Sequence, residues 1–501
     1  MTLQELFAGA EAEIRGDPAT EVTGLAYDNR RVGTGSLFFC VPGQVADGHD
    51  FAPAAVGAGA GALVVERELG LGVTEVLVPD ARAAMAPAAA AFFGDPTAEL
   101  AVAGITGTNG KTTTAFLTRH LLESAGRQAG LLGTVKQVVG GVEEAVERTT
   151  PEAIDLQATF RRMLDAGDVG CAMEVSSHAL ALGRVRGIRF AVAAFTNLTQ
   201  DHLDFHSDME DYFLAKRRLF GVGDDAQASP DRFVVNVDDL FGRRLAAELA
   251  PTALLTVSPR GEKAAGLRVG ASSFDSRGAR FTVELGDGEP VNVALPLPGE
   301  FNIANAMMAL GIAVALGIDL PAAAAALADA PRVPGRFEPV DAGQPFAVLV
   351  DYAHTPDSLE NVLEAARRLT PSPRRVICVF GAGGDRDRAK RPLMGAIGAR
   401  LADVAVVTSD NPRSESPGAI IDEIVAGIDP PAEHDVLVEV DRRAAIAAAL
   451  GRAERDDTVV IAGKGHEQGQ EFEGGRKIPF DDREVAREEL AKLGSSGGGA
   501  T

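Results

Sequence analysis

The stretch AVAGITGTNGKTTTAFLTRHLLESAG, residues 101–126, leaves few choices of fold. Its opening apolar run fits a strand buried on both faces. Gly107-Thr108-Asn109-Gly110-Lys111-Thr112-Thr113 then turns the chain, and Phe116, Leu117 and Leu121 share one side of a helix that Gly126 stops. The glycines let backbone N–H groups close around phosphate oxygens. The helix N-terminus adds a favourable dipole, Lys111 a positive charge and Thr112 a hydroxyl for Mg²⁺. Ile105 stands where the general G-x-x-x-x-G-K-[ST] spacing has its first glycine, so the loop is a variant. By itself it predicts nucleotide binding and leaves the reaction open.

A chain of 501 residues exceeds what one hydrophobic core supports, and about three domains are expected, all α/β. LFFCV (37–41), ALVVE (62–66) and EVLVP (75–79) are strand-like runs of a small domain over residues 1–99. AVAGIT, VGCAMEV, FAVAAFT and FVVNV alternate with helical stretches over 100–332. They predict a central P-loop ATPase-type parallel sheet covered on both faces. FAVLVD, RVICVF, VAVVTS and TVVIAG repeat the alternation over 333–493, as in a Rossmann-like, doubly wound domain, and 494–501 (GSSGGGAT) is expected as a disordered tail.

Composition sets limits on function. A net charge of −23 argues against nucleic-acid binding, which needs a basic surface to displace counterions. Cys40, Cys171 and Cys378 are far apart beside apolar neighbours; they read as buried reduced thiols and cannot build a disulfide framework or zinc site. The segment MTLQELFAGAEAEIRG lacks a basic stretch followed by an apolar run, and no charge-free stretch of about 20 apolar residues occurs. No signal peptide or membrane association is expected, and a cytoplasmic monomer acting on small molecules is the working expectation.

The loop G-T-N-G-K-T resembles that of the Mur ligase family. RTTPEAIDLQ (148–157), MEVSSHALALGRV (173–185), TNLTQDHLDFH (196–206), YFLAKRRLF (212–220), GEFNIANAMMA (299–309), VPGRFE (333–338) and VDYAHTPDSL (350–359) occur in the family's order across nearly the whole chain. RTTPE and EVSSHAL are most similar to members that add the third amino acid. The resemblance implies three domains, for a UDP-sugar, ATP and the incoming amino acid. It implies ATP-dependent addition of meso-diaminopimelate to UDP-N-acetylmuramoyl-L-alanyl-D-glutamate through an acyl phosphate, with Mg²⁺.

The residues carry that reading unevenly. Glu174 ends the strand VGCAM, where a metal-binding carboxylate opposite a phosphate loop would stand. The resemblance makes His202 a ligand of a second Mg²⁺, although a lone His is more often structural. Lys216, on a helix between aromatic residues, would otherwise read as a solvated lysine; by resemblance CO₂ carbamylates it. Such a step needs a neutral amine, which burial favours. Asn302 is implied to meet adenine, although with Asn305 it could simply cap a helix. Arg336 is implied to meet the γ-phosphate and Asp351 the ribose. For the UDP-substrate the resemblance implies Tyr27, Asn29, Gln44, Val45, Ala46, Arg148, Thr149, Thr150, Ser176 and Arg184. Asn29 stands where the family often has Ser, and Leu182 where some members have Gln.

Four strands of the last domain end in the polar loops DYAHTPD, GAGGDRDRAKRP, SDNPRSES and GKGHEQGQ, which should converge beyond the sheet's carboxyl edge. Gly381-x-Gly383-x-x-Arg386 lacks the third glycine of a dinucleotide fingerprint, which disfavours NAD. Asp410-Asn411-Pro412-Arg413 matches the D-N-P-R of diaminopimelate-adding members. Arg386, Gly463 and Glu467 match the rest of that site, Glu467 facing the ammonium. A lysine-adding or folylpolyglutamate-synthase-like ligase is opposed by Arg413 and by the first domain respectively. A non-catalytic P-loop protein is opposed by the joint presence of Glu174, His202 and Lys216.

Overall fold

Short apolar runs between helices give the chain three main β-sheets, each packed against hydrophobic cores of its own. A computed structural model describes residues 1–43, 46–146, 148–223, 228–428 and 435–497, with backbone only for 494–497. The first sheet runs Glu13–Arg15, Thr74–Leu77, Ala62–Val65, Ser36–Phe39, Gly24–Ala26, parallel except for its first pair.

The second sheet has eleven strands. Its parallel part places Ala101–Thr106 between Gly170–Glu174 and Phe190–Phe195. Alternation sends Ala103, Ile105 and Ala194 into one core and Val102, Ala193 and Phe195 into the other, which explains why these strands are apolar on both faces. Helices Lys111–Ser124 and Glu300–Ala315 cover the first face and Ala153–Asp165 the second. The sheet extends beyond the expected parallel part: Gln137–Val139 with Val142–Glu144 adds antiparallel strands at one edge, and Gly278–Leu285 with Val291–Leu295 does so at the other.

The third sheet runs Glu338–Pro339, Ala347–Asp351, Thr458–Ala462, Val376–Phe380, Val404–Val407, Asp435–Val438, antiparallel only in its first pair. Val333 is buried in the second sheet's core and Phe337 in the third's, so the chain crosses over Pro334-Gly335-Arg336. The final helix, Asp482–Gly497, runs through 494–497, the start of the stretch expected as a tail; 498–501 lie outside the described residues. In the second and third sheets the loops that matter leave the carboxyl ends of parallel strands, where open α/β sheets bind ligands.

Candidate active site

The phosphate loop is shaped by what packs around it. Gly107 and Gly110 have φ of +149° and +85°, and a Cβ on them would lie 1.9 Å from Thr196 Oγ1 and 2.3 Å from Asn305 Oδ1. Only glycine fits, in space and in backbone geometry. The loop is pinned from the neighbouring strand end: Thr108 N–H donates to Asn197 O (2.9 Å) and Asn109 N–H to Asn197 Oδ1 (2.9 Å). Lys111 leans back over the loop, donating to the carbonyls of Gly107 (2.9 Å) and Thr108 (2.8 Å). Thr112 and Thr113 open the helix.

Glu174 is buried, and neutral groups hold it: Thr134 N–H (2.8 Å), the Thr134 hydroxyl (3.1 Å) and the Thr112 hydroxyl (2.9 Å). A carboxylate so placed, 2.9 Å from a hydroxyl at the mouth of a phosphate loop, is a donor set that fits Mg²⁺. Arg336 reaches the same hydroxyl from across the domain boundary (3.0 Å) while stacking on Tyr352.

Asp208 caps helix Met209–Arg217, which carries Lys216 into the interior. Its Nζ donates to Gly107 O (2.8 Å) and stands 4.4 Å from the centre of the Tyr212 ring. Burial first, then the charge of Lys111, push its pKa well below that of an ordinary lysine. His202, at φ +57°, keeps 36% of its side-chain exposure and lines the cleft. Desolvation there pushes its pKa down to about 3 despite Asp201, leaving a neutral imidazole able to ligate a cation.

These groups face a cleft of about 960 Å³ whose lining also includes Arg148, Thr149, Thr150, Ser176, Arg184, Asn305, Asp351 and Arg386. Behind the lining residues Arg148 and Arg184, buried Glu152 is met by Arg82 Nη1 at 3.0 Å and Arg148 Nη1 at 3.2 Å. Arg184 Nε lies 2.9 Å away without a hydrogen-bonding angle. Three guanidiniums around one carboxylate leave excess positive charge for an anionic substrate. Thr150 Oγ1 donates to Glu174 O, and Ser176 caps the next helix. In the first domain Tyr27 OH donates to Asp155 (2.5 Å), Asn29 opens a 3₁₀ turn and Ala46 O accepts from Gly43 N–H (2.9 Å). Gln44 and Val45 lie outside the described residues.

Asn302 turns inward, its amide donating to Pro298 O (2.8 Å), and it is Asn305 that lines the cleft. Asp351 accepts from Phe337 N–H (2.6 Å). Beyond the third sheet, Asp410, Asn411, Pro412, Arg413, Gly463 and Glu467 gather as a neighbouring cluster. Asn411 Nδ2 donates to Glu467 Oε2 (2.8 Å), and a Cβ on Gly463 would lie 2.5 Å from Asp410 Oδ2. Arg413 donates to Gly384 O (2.6 Å) and Glu471 (3.2 Å). Arg386, 3.9 Å from Asp204, stands on the cleft side.

Sequence reasoning passed over five contributors. Thr134 holds Glu174, and Arg82 with Glu152 builds the arginine wall. Asp357 accepts from Asn109 Nδ2 (2.7 Å), joining the phosphate loop to the third domain. Lys464 is wholly buried among the amino-acid loops. Glu152 and Lys464 sit inside motifs already singled out, so burial was the missing signal; Thr134 and Arg82 carry no sequence signal.

Comparison with known proteins agrees along the chain. Residues 21–105 match the description "Mur ligase family, catalytic domain", 105–313 "Mur ligase middle domain" and 335–465 "Mur ligase, glutamate ligase domain". A UDP-N-acetylmuramoyl-L-alanyl-D-glutamate–2,6-diaminopimelate ligase of Syntrophomonas wolfei is 44% identical over 98% of this chain and 99% of its own. The protein of that name in Gloeobacter violaceus is 46% identical over 99% of each. A solved structure of a ligase of the same name, 33% identical, covers 99% of both chains with a TM-score of 0.69. Sequence identity of this extent, over the same three-sheet architecture, places the chain in the Mur ligase family.

Proposed function

We propose that the chain joins the D-glutamyl side-chain carboxylate of UDP-N-acetylmuramoyl-L-alanyl-D-glutamate to the amine at the L-centre of meso-diaminopimelate, consuming ATP. The observation that carries this reading is one cleft faced by the phosphate loop, Glu174 and the arginine wall, with Arg386 at the edge nearest the amino-acid loops. Residues 1–99 take the UDP moiety through Tyr27, Asn29, Gln44, Val45 and Ala46, residues 100–332 take ATP, and 333–493 the amino acid.

A carboxylate oxygen attacks the γ-phosphorus, ADP leaves, and an acyl phosphate forms. The amine attacks the acyl carbon, loses a proton, and phosphate departs. Repulsion between carboxylate and triphosphate is the obstacle, and Lys111 and Arg336 offset it as fixed positive charges. Mg²⁺, held by Thr112 and Glu174 with a second ion near His202, would supply further charge neutralisation. Lys216, a buried neutral amine, is suited to take up CO₂ as a carbamate, becoming an anion beside the second ion. Asn305 and Asp351 face the nucleoside, and Arg148, Thr149, Thr150, Ser176 and Arg184 face the muramoyl peptide. The reaction needs no nucleic acid, membrane or second subunit, and its substrates are cytoplasmic.

Phosphate release is the test. Release requiring ATP, Mg²⁺, the UDP-dipeptide and diaminopimelate together is expected; release with folyl-glutamate, or without any acceptor, would refute the reading.

A further inference from the structure

Lys464 follows Gly463 at the end of strand Thr458–Ala462, and its side chain is sealed from solvent. Nζ lies 2.8 Å from Asn411 Oδ1, 2.9 Å from Glu467 Oε2 and 3.9 Å from Asp410 Oδ1. A second buried cation, Arg442, lies behind and is already committed to Asp482 through two bonds of 2.8 Å. Lys464 is the cation in direct contact with Glu467, and it shares Asp410 with Arg442 and Arg413.

Its contacts also fix the polarity of the site. Asn411 Oδ1 accepts from Lys464 and from Glu471 N–H (3.0 Å), two groups that can only donate. The amide nitrogen must then face Glu467, to which it donates at 2.8 Å. Glu467 Oε2 is consequently satisfied twice. Oε1, with only the Tyr352 hydroxyl at 3.5 Å, remains to receive a donor from a ligand.

We propose that Lys464 is a positioning residue for the amino-acid substrate, holding Asn411 as a donor and the Glu467 carboxylate in place as the acceptor of the substrate ammonium. The inference rests on reading this loop cluster as the amino-acid site. Without the Lys464 ammonium, Glu467 Oε2 is held by Asn411 alone and Asn411 Oδ1 by Glu471 N–H alone, so both side chains are less firmly placed to meet a ligand. Lys464 would act on KM for the amino acid and not on the cleft where phosphoryl transfer occurs.

The experiment measures KM for diaminopimelate, ATP and the UDP-dipeptide, with kcat, between pH 6.5 and 8.5 for wild type, Lys464→Met, Asn411→Asp, Glu467→Gln and Arg413→Ala. Asn411→Asp keeps an oxygen for Lys464 and so preserves the buried pair, which guards against Lys464→Met failing to fold. Both variants are expected to raise KM for diaminopimelate about 30-fold or more at pH 6.5. The other two KM values should stay unchanged. Equal rises in all three KM values would show a merely structural lysine and overturn the proposal. If Glu467→Gln and Arg413→Ala also leave the diaminopimelate KM unchanged, it is the placement of the amino-acid site that fails. If those two raise it and neither Lys464→Met nor Asn411→Asp does, only the role of Lys464 fails.

Discussion

Lys216 and Lys464 are both sealed from solvent, and the regions around them treat the charge in opposite ways. Lys216, in the central cleft, has a carbonyl oxygen and the face of a tyrosine for partners, and its pKa is driven far down. Lys464, among the third-sheet loops, has Glu467 and Asn411 in hydrogen-bond contact and Asp410 just beyond. Burial without an anion yields a neutral, nucleophilic amine; burial with anions yields a fixed charge. The central cleft is thus built for chemistry on added groups, and the loop cluster for recognising a charged ligand. Substitutions in the first should act on kcat, and those in the second on KM.

The largest effect belongs to the cleft. Lys111→Ala removes the phosphate-loop cation proposed to offset the transferring phosphoryl group, and kcat should fall about 10³-fold, with KM for diaminopimelate unchanged. Lys216→Ala should fall comparably, and a small carboxylic acid in solution should restore part of the loss by replacing the carbamate. Intact mass of active wild type would detect the carbamate directly; an unmodified lysine there removes the role assigned to it. Near-normal turnover of a folded Lys111→Ala protein would dissolve the contrast altogether.

Next comes selection by the loop cluster. Diaminopimelate carries a distal carboxylate that L-lysine lacks, and Arg413 can grip it with two charge-assisted bonds. Glu471 already partners Arg413, so lysine does not leave the guanidinium bare. The expected preference is that of the two bonds alone, about 3–6 kcal/mol, or roughly 10²–10⁴-fold in kcat/KM. Arg413→Ala should raise KM for diaminopimelate without creating lysine activity. Equal wild-type kcat/KM for the two amino acids would sink the substrate assignment and spare the ligase one.

Stability separates the two lysines by sign. In bicarbonate-free, metal-free buffer, folded Lys216 holds its proton less firmly than the unfolded chain. Stability therefore climbs as pH rises from the depressed folded pKa toward 10.5. Lys216→Met removes that penalty and should raise Tm, more at pH 6.5 than at pH 9.5. Lys464→Met breaks a buried pair and should cost about 3–5 kcal/mol. Thermal shifts of the same sign for both variants would contradict the contrast.

The two regions also differ in how far the sequence discloses them. The phosphate loop is contiguous, and its glycines, lysine and threonines act largely through backbone and helix end, so pattern alone locates it. Strand ends place Glu174 and Asp351 for the same reason. The amino-acid cluster is assembled from separate strand ends, and DNPR says nothing of Lys464 or Glu471 until the loops meet. Asn302 and Asn305, three apart on one helix, are neighbours in any reading; only packing decides that Asn302 turns inward to Pro298. The antiparallel edge strands escaped notice because alternation such as GARFTVEL is half-exposed and lacks the continuous apolar run that marks the sheet's centre.

The smallest expected effect tests whether an anion in the cleft is as poorly compensated as Lys216. Asp351 is buried, accepts from Phe337 N–H (2.6 Å), and is pushed up from 3.8 to about 6 by desolvation, with Arg336 only partly opposing it. The folded protein therefore binds this proton more tightly than the unfolded chain, and stability declines as pH rises from 3.8 through about 6. The gap corresponds to about 3 kcal/mol at most, fully expressed above pH 6. Asp351→Asn keeps an oxygen for Phe337 N–H and removes the charge. It should raise Tm at pH 7.5, with the gain shrinking toward pH 4. A gain that persists unchanged at pH 4 would mean that the substitution acts by packing, and that burial of this carboxylate is compensated after all.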